Sequence, residues 1–170
     1  MLRSTLFQPP IKEKLINERL DAVEELVNKP EILANLQTTM GRLCDLDSLL
    51  SLCAILPKTD TLLLVEKRIN QIIGLKHALE LIPNLVTTLS AADLESPLFQ
   101  DILIVLKLDV YGDMLEVVKA VITEEAKMAR GAAAMTLQRC FAIKSGIRDI
   151  LDIARQAYCE LGELHSRKCN

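Results

Sequence analysis

The amino-acid sequence predicts an all-α protein built from several packed helices, and two observations support that prediction. First, half of the 170 residues are hydrophobic but only 3% are aromatic, and there are six glycines and no tryptophan. An aliphatic, glycine-poor composition favours helices packed on helices over a β-sandwich. Second, apolar residues recur at steps of three and four along most of the chain, which is the period of one helix face. At most a short extended piece is expected, over Gln138–Lys144, where the pattern alternates.

The N-terminal part of the chain is expected to contain three helices separated by clear breaks. The first spans Ile11–Asn28. The second begins at Pro30, because proline is favoured in the first turn of a helix, and it stops near Gly41. A third begins with Asp45 as its N-cap and is apolar almost all round over Leu46–Leu56, which is typical of a central, buried helix.

The middle of the chain predicts one long helix. A turn over Pro57–Thr61 precedes it, and either Asp60 or Thr61 is expected to act as its N-cap. The helix is expected to run from about Leu62 to Leu81 and to end or kink at Pro83, because proline lacks a backbone N–H and clashes with the preceding turn.

Two shorter helices are expected next, over Leu98–Leu108 and Met114–Met128, with a break near Tyr111–Asp113. Ser96 and Pro97 form an N-cap followed by a proline in the first helical position, which is a strong start signal. The sequence therefore predicts that the first of these two helices starts immediately after Ser96.

A last helix is expected to open at Ser145 or Gly146. Its apolar residues lie close to one stripe: Ile147, Ile150, Leu151, Ala154, Tyr158, Leu161 and His165. Five basic residues lie along this helix and the tail, with acidic residues interleaved: Lys144, Arg148, Arg155, Arg167 and Lys168. That mixture favours a helix surface with salt bridges over a DNA-binding stripe.

Charge and hydropathy exclude several classes of protein. Lys and Arg number 20 against 23 Asp and Glu, so a formal net charge of −3 does not indicate nonspecific nucleic-acid binding by charge alone. No run approaches the ~18 consecutive apolar residues of a membrane span, and no secretory signal opens the chain. We expect a soluble intracellular protein of one domain, or two small ones.

Catalytic chemistry is sparse, and the sequence offers no candidate catalytic, cofactor-binding or metal-binding residue. There is no phosphate-binding glycine loop and no nucleophile elbow. The two histidines, His77 and His165, are explained better as helix residues than as general bases. The acidic pairs Glu24–Glu25 and Glu124–Glu125 are adjacent on helices, so their side chains diverge and a solvated face is expected. We therefore predict that the chain is not an enzyme.

The cysteines are expected to be reduced. Their number is odd, and no pair has the close spacing of a zinc or redox motif. The five are Cys44, Cys53, Cys140, Cys159 and Cys169. The first two lie among leucines and are expected to pack as small hydrophobes. A metal cluster of Cys159, His165 and Cys169 is disfavoured because no fourth ligand has suitable spacing.

Several stretches, in the same order along the chain, resemble the core (lever) domain of the MutS family. They are Leu2–Pro10, Ile16–Leu26, Asp45–Leu50, Leu56–Thr61, Leu75–Leu81, Cys140–Gly146 and Leu151–Arg155. The last four resemble the meiotic branch of that family, the fourth MutS homologues of eukaryotes. The similarity covers about residues 2–162, and its collinearity makes chance a poor explanation.

The resemblance implies a domain over residues 2–165, followed by a short tail at 166–170, with Ser145–His165 as the start of a long lever helix. It implies that the mismatch-reading region, clamp and ATPase lie outside these residues, so ATP and Mg²⁺ belong to the full-length family and not to this chain. It also implies a nuclear protein of meiotic crossing-over, with a fifth MutS homologue as heterodimer partner and branched or mismatched DNA as the ligand of the complete protein.

An alternative from a different class is a free-standing helical module that binds a partner helix. The apolar helices predicted over Leu46–Leu56 and Leu62–Ile82 motivate it, because one small core could leave part of them uncovered. Neither hypothesis involves a membrane or a small-molecule substrate.

Overall fold

The computed structural model describes residues 6–45, 47–49 and 61–168, the last seven of them as backbone only. Seven helices are bounded within this part of the chain: α1 (Glu13–Asn28), α2 (Pro30–Met40), α3 (Leu62–Ala91), α4 (Pro97–Leu106), α5 (Val110–Val121), α6 (Ala132–Phe141) and α7 (Asp149–Lys168). The described residues contain no strand longer than a single antiparallel bridge between Ile122 and Ile143. The prediction of an all-α, multi-helix protein is confirmed.

The chain divides into two compact units. Unit 1 comprises Met1–Leu43 and Glu80–Tyr111, and unit 2 comprises Cys44–Leu79 and Gly112–Asn170. Each unit is assembled from two separate stretches of sequence. The boundary at Leu79 falls within α3, so the N-terminal part of this helix belongs to unit 2 and its C-terminal part to unit 1.

Unit 1 is held together by packing of α1 against α2 and α4. Its buried cluster is aliphatic apart from one phenylalanine: Ala22, Leu36, Leu89, Ala92, Leu94, Phe99 and Leu103. The start of α2 at Pro30 and its stop before Gly41 were predicted correctly, as was the start of α4 at Pro97. Proline suits the first turn of a helix because its φ is fixed and its missing N–H is not needed there, and glycine favours a helix end because it is a poor helix former.

The prediction that α3 ends near Leu81 is wrong. The helix continues through Pro83 to Ala91. Pro83 has no N–H to donate to the carbonyl of Leu79, so one helical hydrogen bond is lost there. Leu85 and Leu89 pack into the unit 1 cluster, and their burial offsets the lost bond.

Two predicted N-caps are confirmed: Asp45, before the helix predicted over Leu46–Leu56, and Thr61, before α3. The Asp45 carboxylate accepts hydrogen bonds from the Asp47 and Ser48 amides at 3.1 and 3.4 Å. The Thr61 hydroxyl accepts one from the Leu64 amide at 3.4 Å. Of the helix predicted over Leu46–Leu56, only residues 47–49 are described. The rest of it, including Cys53, and the turn before Thr61 lie outside the described residues.

Unit 2 departs from the sequence predictions at both ends of α5. The helix begins at Val110 and includes Tyr111–Asp113, where a break was expected, and it ends at Val121 instead of Met128. Ile122 leaves the helix to pair with Ile143, and residues 123–131 form a loop. A tertiary pairing therefore overrides the helical pattern of this stretch.

The predicted extended piece and the predicted start of α7 are also corrected. Residues 138–141 form the last turn of α6, and only Ile143 takes part in β-type pairing. Gly146 does not open α7: its backbone has φ +84°, and the helix starts at Asp149. A positive φ suits glycine and cannot continue a right-handed helix, so this residue marks the turn that precedes α7.

Candidate functional site at the base of the last helix

The most elaborate polar arrangement in unit 2 lies where α7 meets the rest of that unit. We call it the junction and define it as Lys76, residues 121–124, residues 140–146, Asp152 and Arg155. It brings together α3, the end of α5, the end of α6 and the start of α7. Two of the stretches that resemble the MutS family, Cys140–Gly146 and Leu151–Arg155, lie largely within it.

A two-residue backbone bridge forms the centre of the junction. The Thr123 amide donates to the Ala142 carbonyl at 2.9 Å, and the Lys144 amide donates to the Val121 carbonyl at 2.8 Å. Ile122 and Ala142 beside these bonds are buried with Ile73 and Ala126 in one cluster. The bridge therefore ties the chain after α5 to the chain after α6, and the apolar cluster shields it from water.

Arg155 connects α7 to this bridge. Its side chain is 8% exposed and donates to the carbonyls of Cys140 and Ile143, the latter at 2.6 Å. Nη1 pairs with the Asp152 carboxylate at 2.8 Å. Asp152 in turn accepts a hydrogen bond from the Gly146 amide at 2.7 Å. A guanidinium carries five N–H donors in a planar fork, which suits one side chain to several backbone acceptors.

Arg155 was predicted to lie on a salt-bridged helix surface, and that prediction is wrong. The pair with Asp152 has the i, i+3 spacing of a surface salt bridge, which is why the pattern misled. Among the other four basic residues, Lys144 is half-buried and Arg148 is exposed, while the side chains of Arg167 and Lys168 lie outside the described residues.

Lys76 connects α3 to the segment of the bridge that follows α5. It is 2% exposed, and its Nζ donates to the carbonyls of Thr123 and Glu124 at 3.1 and 2.8 Å. Sequence reasoning missed this residue, although it lies in the stretch Leu75–Leu81 that resembles the MutS family. A lysine flanked by apolar residues on a buried helix was the available signal, because a buried ammonium requires nearby acceptors.

The loop after the bridge is fixed by two amide side chains. Asn70 exchanges two hydrogen bonds with the backbone of Ala129, at 2.9 and 3.1 Å, and its oxygen also accepts from Gln138 at 2.8 Å. Gln138 donates to the Lys127 carbonyl at 3.0 Å as well. These bonds satisfy backbone groups that would otherwise be left without partners in a loop that is neither helix nor strand.

The junction supplies hydrogen-bonding groups, and it includes one free, half-buried cysteine, Cys140. His77, on α3, is half-buried and was not predicted to be a base. Among the described residues, no group of three or more His, Cys, Asp or Glu side chains could hold a metal ion. Cys44 is half-buried with its sulfur 3.4 Å from the Gly74 carbonyl, whereas Cys159 is exposed. His165 and Cys169 lie outside the described side chains.

Unit 1 contains a second polar arrangement, the turn clamp, made by Glu25 and Lys29 of α1. The Glu25 carboxylate accepts from the amides of Glu95 and Ser96 at 2.7 and 3.1 Å. Lys29 donates to the carbonyls of Ala92 and Asp93 at 3.1 and 2.7 Å and lies 3.4 Å from Glu25. The clamp therefore holds the turn between α3 and α4 against α1.

The turn clamp corrects two predictions. Glu25 is not on a solvated face: its side chain is 15% exposed. Burial acts to raise the pKa of Glu25, but the two amide hydrogen bonds and Lys29 outweigh it, so the pKa is lowered. Ser96 precedes α4 as predicted, but its buried hydroxyl makes no cap hydrogen bond, and the Glu25 carboxylate accepts instead from the amides of Glu95 and Ser96, which precede the first turn of the helix. Glu24, Glu124 and Glu125 are exposed, as predicted.

Comparison with known proteins identifies the family. Residues 1–166 match the model of MutS domain III. MutS protein homolog 4 of Homo sapiens is 36% identical over 160 residues, which are 94% of this chain and 17% of the human protein. MutS protein homolog him-14 of Caenorhabditis elegans is 30% identical over 163 residues, covering 95% of this chain and 19% of that protein.

A plant relative shows the same relation. DNA mismatch repair protein MSH4 of Arabidopsis thaliana is 30% identical over 174 residues, with 96% of this chain and 22% of that protein covered. No solved structure matches the chain, and none of the described helices has the length and hydropathy needed to cross a membrane. The chain thus spans about a fifth of the length of these relatives, and it belongs to the MutS family as an example of its domain III.

Proposed function

We propose that this chain is the non-catalytic core, or lever, portion of a MutS homologue that acts in mismatch repair or meiotic recombination. The observation that supports the proposal most strongly is the match to MutS domain III over residues 1–166, together with relatives named MutS homolog 4. The hydrogen bonds that Arg155 and Lys76 donate to backbone carbonyls at the base of α7 support a mechanical role.

In this proposal, the complete protein is an ATP-dependent clamp on recombination intermediates. In this proposal ATP and Mg²⁺ are bound by another part of that protein, as the family resemblance implies. The proposed partners are a fifth MutS homologue and branched or mismatched DNA, and the proposed location is the nucleus. These partners follow from the family resemblance.

The shape of α7 supports the mechanical part of the proposal. The helix is joined to unit 2 through its first two turns, where Leu151 and Asp152 are half-buried and Arg155 is buried. Residues 156–161 are all exposed. A helix held at one end transmits a rotation at its base as a displacement of its tip, which is how a lever works.

Substitution of Arg155 in the complete protein tests this role. Arg155→Met should preserve ATP hydrolysis and abolish the ATP-dependent change in retention on branched DNA, because the lever is detached and the ATPase is intact. Arg148→Met, which changes an exposed arginine next to α7, should leave both activities unchanged. Retention that responds normally to ATP in the Arg155 variant would contradict the proposal. The 170-residue chain alone should show no ATP turnover, and saturable hydrolysis would also contradict it.

A second candidate function is a free-standing module that binds a partner helix. It is favoured by the exposure of large apolar residues on α7: Ile150 is 83%, Ile153 68% and Leu161 66% exposed. Analytical ultracentrifugation combined with binding of a hydrophobic dye tests it. A compact monomer that binds no dye would count against this module and would favour the first proposal.

A further inference from the structure

The attachment of α7 contains a turn that is suited to act as a hinge. Residues 145–148 separate the bridge from α7 and are all exposed. Gly146 has φ +84°, and a Cβ placed there would meet no heavy atom within 4 Å. The space around this position is therefore open. The Gly146 amide donates a hydrogen bond to Asp152, which holds the turn.

Arg155 and Asp152 close this hinge. Asp152 holds the turn through the Gly146 amide, and the same carboxylate group pairs with Arg155 through its other oxygen. Arg155 then reaches over the turn to the carbonyls of Cys140 and Ile143. If Arg155 releases these carbonyls, no other described side chain of α7 donates to the bridge. We call Asp152 and Arg155 together the latch, because their hydrogen bonds hold the turn closed.

The latch and Lys76 hold the same bridge from two sides. Thr123 accepts from Lys76 with its carbonyl and donates to Ala142 with its amide. Ile143, one residue further on, accepts from Arg155. A continuous series of hydrogen bonds therefore runs from α3 through the bridge to α7, and Lys76 lies at one end of it without touching the latch.

We propose that Asp152 and Arg155 latch the direction of α7 and that Lys76 controls this latch from α3 through the Ile122–Ile143 bridge. Coupling of this kind needs an element with two arrangements, and the latch supplies it because its hydrogen bonds are either made or broken. Removing Lys76 frees the carbonyls of Thr123 and Glu124, which shifts the bridge and misaligns the acceptors of Arg155. The inference concerns this chain alone and does not depend on the proposed function.

Amide hydrogen exchange of the 170-residue chain, followed residue by residue by NMR, tests the inference. Arg155→Met should lower the protection of amides 151–158 at least about tenfold, the factor that corresponds to loss of a charged hydrogen bond. Lys76→Met should lower the protection of the same amides about three- to tenfold, although the carbonyls that Lys76 binds, Thr123 and Glu124, lie outside α7. The double variant should show no greater loss than Arg155→Met alone, because the latch is already open.

Two control variants and one internal reference separate this effect from general destabilisation. Arg148→Met and Lys67→Met alter exposed residues of the same charge on the same segments and should leave α7 protection unchanged. Amides of α1, in unit 1, should exchange at the same rate in every variant. If Arg155→Met does not fold, Asp152→Asn opens the turn while leaving the two carbonyl bonds in place, and it should give about half of the logarithmic loss.

Two outcomes would overturn the inference. One is α7 protection in Lys76→Met that equals that of Lys67→Met, which would show that α3 does not reach α7. The other is a loss in the double variant equal to the product of the two single losses, which would show that Lys76 and Arg155 act independently.

Discussion

The two units hold their turns by different means. In unit 1, seven buried apolar residues form one cluster among the described residues, and it includes Ala92 and Leu94 of the α3–α4 turn itself. In unit 2, the corresponding cluster has four described members, and side-chain hydrogen bonds from Lys76 and Arg155 hold the chain segments together. Both units use a lysine that donates to two backbone carbonyls, but Lys29 supplements apolar packing whereas Lys76 is buried within its unit.

The contrast between apolar packing in unit 1 and hydrogen bonding in unit 2 indicates where the molecule can change shape. Apolar side chains in a buried cluster are closely packed, so a displacement loses many contacts at once and no alternative state is defined. Hydrogen bonds weaken steeply when their angles and distances change, so a junction built from them has an intact state and a broken one. Unit 1 is therefore expected to behave as a fixed block, and the junction of unit 2 is the place where a helix can be released.

Truncation of the unit 1 cluster should have the largest effect. Phe99 is 8% exposed, and Phe99→Ala should lower the free energy of unfolding by about 3–4 kcal/mol because it leaves a cavity. Urea unfolding measures the loss. Leu98→Ala, at the half-buried neighbouring position, is the matched control and should cost clearly less. Equal losses for the two variants would contradict the assignment of Phe99 to the centre of the cluster.

Removal of the latch should have the next largest effect. Arg155→Met should cost about 2–3 kcal/mol, because the Cys140 and Ile143 carbonyls lose a charged donor and Asp152 loses its partner. The loss should be seen in hydrogen exchange of unit 2 and not in that of α1. Arg148→Met should stay within about 0.5 kcal/mol of the parent chain. A loss that is equal in both units would remove the contrast drawn between them.

The turn clamp of unit 1 should show a smaller effect that depends on pH. Glu25→Gln should cost about 1–2 kcal/mol at neutral pH, since its amide hydrogen bonds lose the charged acceptor. The pKa of Glu25 is lower in the folded protein than in the unfolded chain, so the stability it contributes is complete above the ordinary pKa of a glutamate. That stability is lost as the pH falls through the folded pKa.

Unfolding of the parent chain and Glu25→Gln at a series of acidic pH values measures this contribution. The difference between the two chains should shrink as the pH falls. Glu24→Gln, which alters the adjacent exposed carboxylate, should show no such trend. A difference between the parent and Glu25→Gln that grows on acidification would contradict the direction of the pKa shift.

Glycine substitutions should have the smallest effects, and these should have opposite signs in two parts of unit 2. Gly146→Ala should cost about 1 kcal/mol, because alanine tolerates φ +84° poorly although space is available. Gly112→Ala, inside α5 and also without a nearby atom, should stabilise by about 0.5 kcal/mol through helix propensity. Thermal unfolding measures both, and equal signs would contradict the assignment of Gly146 to a turn that requires a positive φ.

Local signals in the sequence were sufficient for much of unit 1. Pro30 and Gly41 bound α2, and Ser96–Pro97 marks the start of α4, because proline fits the first helical turn and glycine is a poor helix former. Pro83 failed as a stop signal because Leu89 and its neighbours are buried on the far side of it. Packing energy, which no local pattern reports, decided that case.

The junction was hidden from sequence reasoning for a different reason. Its members come from four segments separated by as many as 79 positions, from Lys76 to Arg155. Arg155 and Asp152 have the spacing of a surface pair, and nothing in the stretch around Lys76 identifies the Thr123 carbonyl, 47 positions away, as an acceptor of its ammonium group. The family resemblance did point to the stretches that contain these residues, but it did not say what their side chains bind.

The direction of α7 can be measured most directly as a distance distribution between two spin labels in unit 2. One label is placed on Cys159, which is exposed on α7, and the other on α3 through Lys67→Cys, with the remaining cysteines replaced by alanine. We expect a narrow distribution in the parent chain and a broad one in both Arg155→Met and Lys76→Met. A distribution that stays narrow in both variants would contradict the claim that the junction sets the direction of α7.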